Sequence, residues 1–161
     1  MWYAEKTFSI YYVSPYYTNT LKEITRALVY YFNDIGLRNY AINLMGNLEL
    51  YQQYGFVFQN FVFLQLKEYI RWKNWSLHFW RTSDKTEVDF VINKGNTLLP
   101  VEVKYSEFKK PVISRSFRSF ISKYKPSDAW LINKNFESEI YIENTKVHFL
   151  PFYKLVSLGK N

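Results

Sequence analysis

Two short segments constrain this chain more than any others. They are Glu87-Val88-Asp89-Phe90-Val91-Ile92 and Leu98-Leu99-Pro100-Val101-Glu102-Val103-Lys104, separated by a Lys94-Gly95 turn signal. Successive strand residues point to opposite faces, so Val88, Phe90 and Ile92 are expected on one side and Glu87 and Asp89 on the other. The second strand repeats the pattern, with Val101 and Val103 toward the core and Glu102 and Lys104 away from it. A two-residue loop at Lys94-Gly95 would join the strands as an antiparallel hairpin whose partner positions sum to an odd number, placing Glu87, Asp89, Glu102 and Lys104 on one face. Repulsion within such a cluster has two remedies. One is lysine and solvent on an ordinary exposed sheet face, at some tenths of a kcal/mol per cross-strand pair. The other is a hard divalent cation, which prefers oxygen ligands.

An Asp near the end of one strand followed by Glu-x-Lys on the next resembles the PD-(D/E)xK nuclease superfamily, here through Asp89 and Glu102-Val103-Lys104. More narrowly, Phe79-Trp80-Arg81-Thr82, Glu87-Val88-Asp89-Phe90-Val91, Pro100-Val101-Glu102-Val103-Lys104 and Tyr31-Phe32-Asn33-Asp34-Ile35-Gly36-Leu37-Arg38 look like the nuclease-like domain of unknown function found C-terminal to prokaryotic AAA-type ATPases. The resemblance runs from about Phe8 to about Asn133. It implies residues 1–50 as an N-terminal extension packed on the core, the end of a winged-helix or linker region, and residues 51–161 as the nuclease-like domain. It also implies an ATPase module in cis or in trans. The chain itself has no GxxxxGK[ST] phosphate loop and cannot hydrolyse ATP by that route.

Periodicity gives the element order separately. A strand is expected over Phe8–Val13, a loop from Ser14-Pro15 to Asn19-Thr20, a second apolar run over Leu28–Phe32, and a short helix from Asp34-Ile35-Gly36 through Leu44, broken by Met45-Gly46-Asn47. Gln53–Trp72 reads as a helix apolar almost all round, hence buried between layers, with Gln59 and Asn60 interrupting its surface. Strands follow at Leu77–Arg81, Glu87–Ile92 and Leu98–Lys104. Pro111 is expected to open the next helix, with Val112, Ile113, Phe117, Phe120, Ile121 and Tyr124 inward. A strand at Ala129–Ile132 and a hairpin of Glu139–Ile142 with Val147–Leu150 close the chain. The predicted fold is therefore α/β, a restriction-endonuclease-like αβββαβ core with a mixed central sheet flanked by helices, plus an N-terminal extension and a C-terminal hairpin.

Composition narrows the function. The chain has no cysteine, which excludes disulfides, thiolate catalysis and Cys-bound zinc and agrees with a reducing cytoplasm. No apolar run approaches the roughly 20 residues of a membrane span, so a soluble cytoplasmic protein is expected. The formal net charge of +7 is concentrated after residue 80. From Lys104 to Lys125, the cations Lys104, Lys109, Lys110, Arg115, Arg118, Lys123 and Lys125 occur against Glu107 alone. That run suits DNA phosphates or a merely solvated helix face. The 21% aromatic content, beside only four alanines, reflects A+T-rich codon usage and core packing rather than base stacking.

By the resemblance, Asp89 and Glu102, with the Val103 carbonyl, would hold Mg²⁺ or Mn²⁺. Lys104 would orient the attacking water, Glu87 would support it or stand by, and Lys109, Lys110, Arg115, Arg118 and Lys123 would meet nucleic acid. Many members of the superfamily carry a further glutamate on the first helix, where this chain has Gln59. Two functions remain open: a metal-dependent DNA endonuclease, or a catalytically degenerate nuclease fold kept as a DNA-binding or interaction module of the ATPase. His78 and His148 read as core histidines, and Asp34 as a helix cap.

Overall fold

The predicted hairpin forms the middle of an eight-stranded mixed sheet. The computed structural model describes residues 9–17, 28–46, 53–82 and 86–158; Phe8, Asn19, Thr20, Asn47 and the junction of residues 50 and 51 lie outside them. The strands are β1 (Ile10–Pro15), β2 (Val29–Phe32), β3 (Ser76–Arg81), β4 (Glu87–Asn93), β5 (Leu98–Val103), β6 (Asp128–Asn133), β7 (Ser138–Ile142) and β8 (Thr145–Pro151). The helices are α1 (Ile35–Ala41), α2 (Tyr54–Ile70), α3 (Arg115–Tyr124) and α4 (Phe152–Leu158). Strand order is β2-β1-β3-β4-β5-β6-β8-β7, and the α2-β3-β4-β5-α3-β6 run is the predicted αβββαβ core. The fold is α/β and restriction-endonuclease-like, with helices on both faces of the sheet.

Two apolar layers sandwich the sheet. On one side Val62, Phe63 and Leu66 of α2 meet Tyr31, Phe90, Ile92, Leu99 and Val101. On the other, Phe117, Phe120 and Ile121 of α3 meet Trp80, Val88, Val91, Leu131 and Phe149. A strand covered on both faces reads as a nearly continuous apolar run. Hence Val91 is as buried as Phe90.

Several expectations need correction. The β4–β5 connection is a four-residue turn rather than a two-residue loop, closed by Asn93↔Leu98 and by Lys94 N donating to Thr97 O at 2.9 Å. Its pairing nevertheless keeps the odd sum, as in Phe90↔Val101. Val88 does not share a side with Phe90 and Ile92: it packs in the α3 layer and they pack in the α2 layer. β1 continues through Ser14 and Pro15, which pair in parallel with His78 and Phe79, so no loop begins there. α1 stops at Ala41, short of Leu44, and Asn43 turns out with φ 56°. Pro111 does not open α3. Ser114 caps that helix, accepting from Phe117 N at 3.1 Å, and Pro111 and Val112 lie exposed ahead of it. The β7–β8 hairpin does not close the chain, because α4 follows and seats Phe152 against Phe58 and Phe61. That contact explains part of the apolar girth of α2.

Asp34 caps α1 as expected, its Oδ1 accepting from Leu37 N at 2.9 Å. Asn60 is fully buried on α2 and clasps β2, accepting from Phe32 N at 2.7 Å and donating to Phe32 O at 2.8 Å.

Candidate functional site

The start of β4 is irregular, and the irregularity builds the site. His78 pairs with Val91 and Trp80 with Val88, so β4 takes three steps while β3 takes two. The extra residue is a bulge at Asp89-Phe90, a device that re-aims a side chain. It also moves Val88 to the opposite layer from Phe90. The β4–β5 ladder ends at Phe90↔Val101, and beyond it the Asp89 carboxylate takes the place of backbone: Val103 N donates to Asp89 Oδ2 at 2.8 Å. Gln59 of α2 donates its Nε2 to Asp89 Oδ1 at 3.0 Å and to the Tyr31 hydroxyl at 3.1 Å. Burial pushes the Asp89 carboxyl up to about 6, against the Val103 hydrogen bond and the Lys104 charge, with Glu102 and Glu87 adding to the rise. Tyr31, only 1% exposed, has its phenol driven up by burial and by the charges of Asp89 and Glu87.

Glu102 follows on β5 opposite Leu131, a member of the α3 layer, so it emerges on that side of the sheet. It does not face away from the core as alternation suggested: it is 3% exposed. Its Oε1 receives Lys104 Nζ at 2.9 Å, while its Oε2 is buried without any hydrogen-bond partner. An unpaired buried charged oxygen costs about 1–3 kcal/mol or more. Burial works against the Lys104 ammonium, but the charge and hydrogen bond of Glu102 and the charge of Asp89 hold its pKa above the ordinary lysine value.

Glu87 is drawn aside by Arg81, whose Nε and Nη2 donate to Glu87 Oε2 at 2.8 and 2.5 Å, yet its charge still reaches Asp89. Lys109, Lys110, Arg115, Arg118 and Lys123 are all exposed, the first two in the loop after β5 and the others on α3. Lys123 lies 5.6 Å over the Trp80 ring. Neither histidine is a core residue. His78 Nδ1 bonds Ser14 Oγ at 3.1 Å, and His148 spans two acids, with Nε2 3.0 Å from Asp128 and Nδ1 3.0 Å from Glu139. Residues in neighbouring strands 20 and nine positions from His148 supply those acids, and periodicity within one strand carries no sign of them. Tyr31 was also missed as a site neighbour; its only signal was the alternation of β2.

Among the described residues no three His, Cys, Asp or Glu side chains gather around one point. Two carboxylates are nevertheless what Mg²⁺ commonly takes from protein, the remainder of its shell being water and substrate oxygen. The partnerless Glu102 Oε2 and the raised Asp89 pKa are both conditions that a cation would relieve. Asp89 and Glu102 are the side chains that would hold such an ion.

The profile of the family described as domain of unknown function (DUF4143) matches residues 54–155. The chain belongs to that family. The matched span runs from the start of α2 into α4 and includes Gln59, Asp89, Glu102 and Lys104. No curated protein matches the chain. Among solved structures, a chain of the refined half-complex from the tetradecameric assembly of Thermococcus gammatolerans McrB AAA+ hexamers with bound McrC superposes with a TM-score of 0.53 at 13% identity. The alignment covers 66% of this chain and 31% of that one, and it shows likeness of fold. No helix among the described residues is long and apolar enough to cross a membrane.

Proposed function

We propose that this domain is a Mg²⁺- or Mn²⁺-dependent phosphodiester hydrolase acting on DNA, working with an AAA-type ATPase module in the same chain or a partner. The observation that carries the reading is the buried Glu102 carboxylate, with one oxygen on Lys104 and the other without a partner, beside a carboxyl of raised pKa at Asp89. A fold does not need this arrangement for stability, since apolar replacement of a buried ion pair is often neutral or favourable.

Asp89, Glu102 and the Val103 carbonyl would hold the cation. When bound, it supplies Lewis-acid polarisation of a phosphoryl oxygen and lowers the pKa of a water. Val103 N–H and Gln59 fix the Asp89 carboxylate in one orientation, so it needs no reorganisation when substrate arrives. Lys104 keeps its proton at neutral pH, and its compact ammonium can orient the attacking water and offset negative charge growing on the phosphorus oxygens. The exposed cations of the β5–α3 loop and α3 supply phosphate contacts. The ATPase association rests on the McrB AAA+ hexamers named in the similar structure.

A second reading, a catalytically degenerate fold serving as a DNA-binding or interaction module, is favoured by Gln59. Its amide N–H occupies Asp89 Oδ1, and a neutral side chain adds no negative charge for a cation. Plasmid nicking with Mn²⁺ separates the two. Hydrolysis that disappears in Asp89→Ala supports the first; no hydrolysis by the wild type in either metal supports the second.

A further inference from the structure

The end of the molecule away from Asp89 carries a second concentration of charge, and it is built differently. Asp89 and Asn93 are four residues apart on β4, about 14 Å of strand, and Lys94 follows in the turn. Gln59 and Ile70 are eleven apart along α2, about 17 Å of helix, and Arg71 caps its end. At this far end Lys73 and Lys94 gather around half-buried rings, Arg71 covers an exposed one, and Lys67 lies 3.9 Å over the Tyr11 ring nearby. Lys73 Nζ lies 3.4 Å from the Tyr69 ring centroid and 4.7 Å from that of Trp75, and Lys94 Nζ lies 4.8 Å from the same Trp75 ring. Two ammonium groups therefore converge on one indole, and burial together with the Lys94 charge holds the Lys73 pKa down. Arg71 stacks on Trp72 at 4.9 Å. Trp72 itself is 87% exposed, an unusual position for the largest side chain. A hollow of about 490 Å³ lies between Lys67, Glu68, Ile70, Arg71, Lys73 and Trp75.

The negative end of the α2 dipole accounts for one cation here, not four. Glu68 pairs with Arg71 at 3.2 Å, and Asp128 lies within electrostatic reach of Lys94; neither neutralises Lys73. The missing element is an anion that brings flat apolar groups with it. Phosphates would sit between the lysines while a base stacks on the exposed Trp72 indole, a pairing of charge and ring that a carboxylate-rich peptide does not offer.

We infer that the Tyr69–Trp75 segment with Lys94 is a binding site for single-stranded nucleic acid, set at the opposite end of α2 from the carboxylates. It requires no metal and no catalysis, so it stands or falls separately from the hydrolase reading.

The test is fluorescence anisotropy of a labelled 20-nucleotide oligo-dT in EDTA, with a duplex of equal length and polyglutamate as competitors, alongside tryptophan emission. The wild type is expected to bind oligo-dT with quenched tryptophan emission, and to resist polyglutamate. Lys73→Gln with Lys94→Gln is expected to weaken binding at least tenfold and to lower the slope of log K against log salt by about 1.4, at roughly 0.7 per phosphate contact. Trp72→Ala is expected to lose part of the quench and several-fold in affinity. Unchanged affinity in the lysine variant, absence of quenching, preference for the duplex or displacement by polyglutamate at equal charge would each overturn the assignment.

Discussion

Two charge clusters lie on this sheet. One joins Asp89, Glu102 and Lys104 at the β4–β5 end; the other joins Asp128, Glu139, Lys146 and His148 across β6, β7 and β8. In the second, His148 bonds both acids and Lys146 Nζ reaches Glu139 at 2.8 Å, with the acids about half exposed. In the first, a carboxylate 3% exposed keeps one oxygen without a partner. Both clusters would count as salt-bridge networks by composition. What separates them is burial with incomplete satisfaction: the exposed network is complete by itself, whereas the buried one leaves a carboxylate oxygen without a partner.

The sharpest way to break this comparison is activity. With Mn²⁺ and plasmid DNA, Asp89→Ala and Lys104→Ala are expected to reduce nicking by about 10²–10³-fold or more, as for loss of a transition-state electrostatic group. His148→Ala and Glu139→Ala should leave the rate unchanged. Equal losses from both clusters would mean that the cluster with the buried Glu102 is not special.

Next is pH, where the clusters have opposite signs. The folded chain holds the Asp89 proton more tightly than the unfolded chain, so with chelator present this group's contribution to stability falls as pH rises between about 4 and 6. A shift from 3.8 to about 6 corresponds to about 2–3 kcal/mol. Asp128 is held low by its hydrogen bond to His148, and Glu139 by its hydrogen bond to Lys146, so their contributions are lost as pH drops below the usual carboxylate range. Urea unfolding across pH 3.5–7.5 measures both. The Asp89 part is identified by its absence in Asp89→Leu.

Removing charge sharpens the contrast further. Glu102→Leu with Lys104→Met is expected to stabilise the protein by about 1–2 kcal/mol, raising Tm by a few degrees. Glu139→Leu with Lys146→Met, being exposed, should leave stability nearly unchanged. Gln59→Glu should tighten Mn²⁺ binding by about tenfold, or about 1.4 kcal/mol. Unchanged affinity would place Gln59 outside the site.

Alternation located the β4 and β5 strands and the acids on them, because a two-residue period survives wherever pairing is regular. It failed where pairing is irregular. The bulge at Asp89-Phe90 depends on how β3 lies beside β4, and nothing in Glu87-Val88-Asp89-Phe90 announces it. The burial of Glu102 likewise depends on α3 covering a face that a lone hairpin would leave wet. The basic run was legible as charge on the outer side of α3. His148 was misread because its partners come from two other strands, and α4 was missed because its apolar residues Phe152 and Leu155 pack on the α2-side core, far away in the chain.

Calorimetric titration of Mn²⁺ into the wild type and into the Glu102→Leu, Lys104→Met protein tests the central claim most directly. One saturable site that is lost in the variant, while the variant unfolds at the same or a higher temperature, is the predicted result. No heat of binding to the wild type, or equal binding to both proteins, would contradict it.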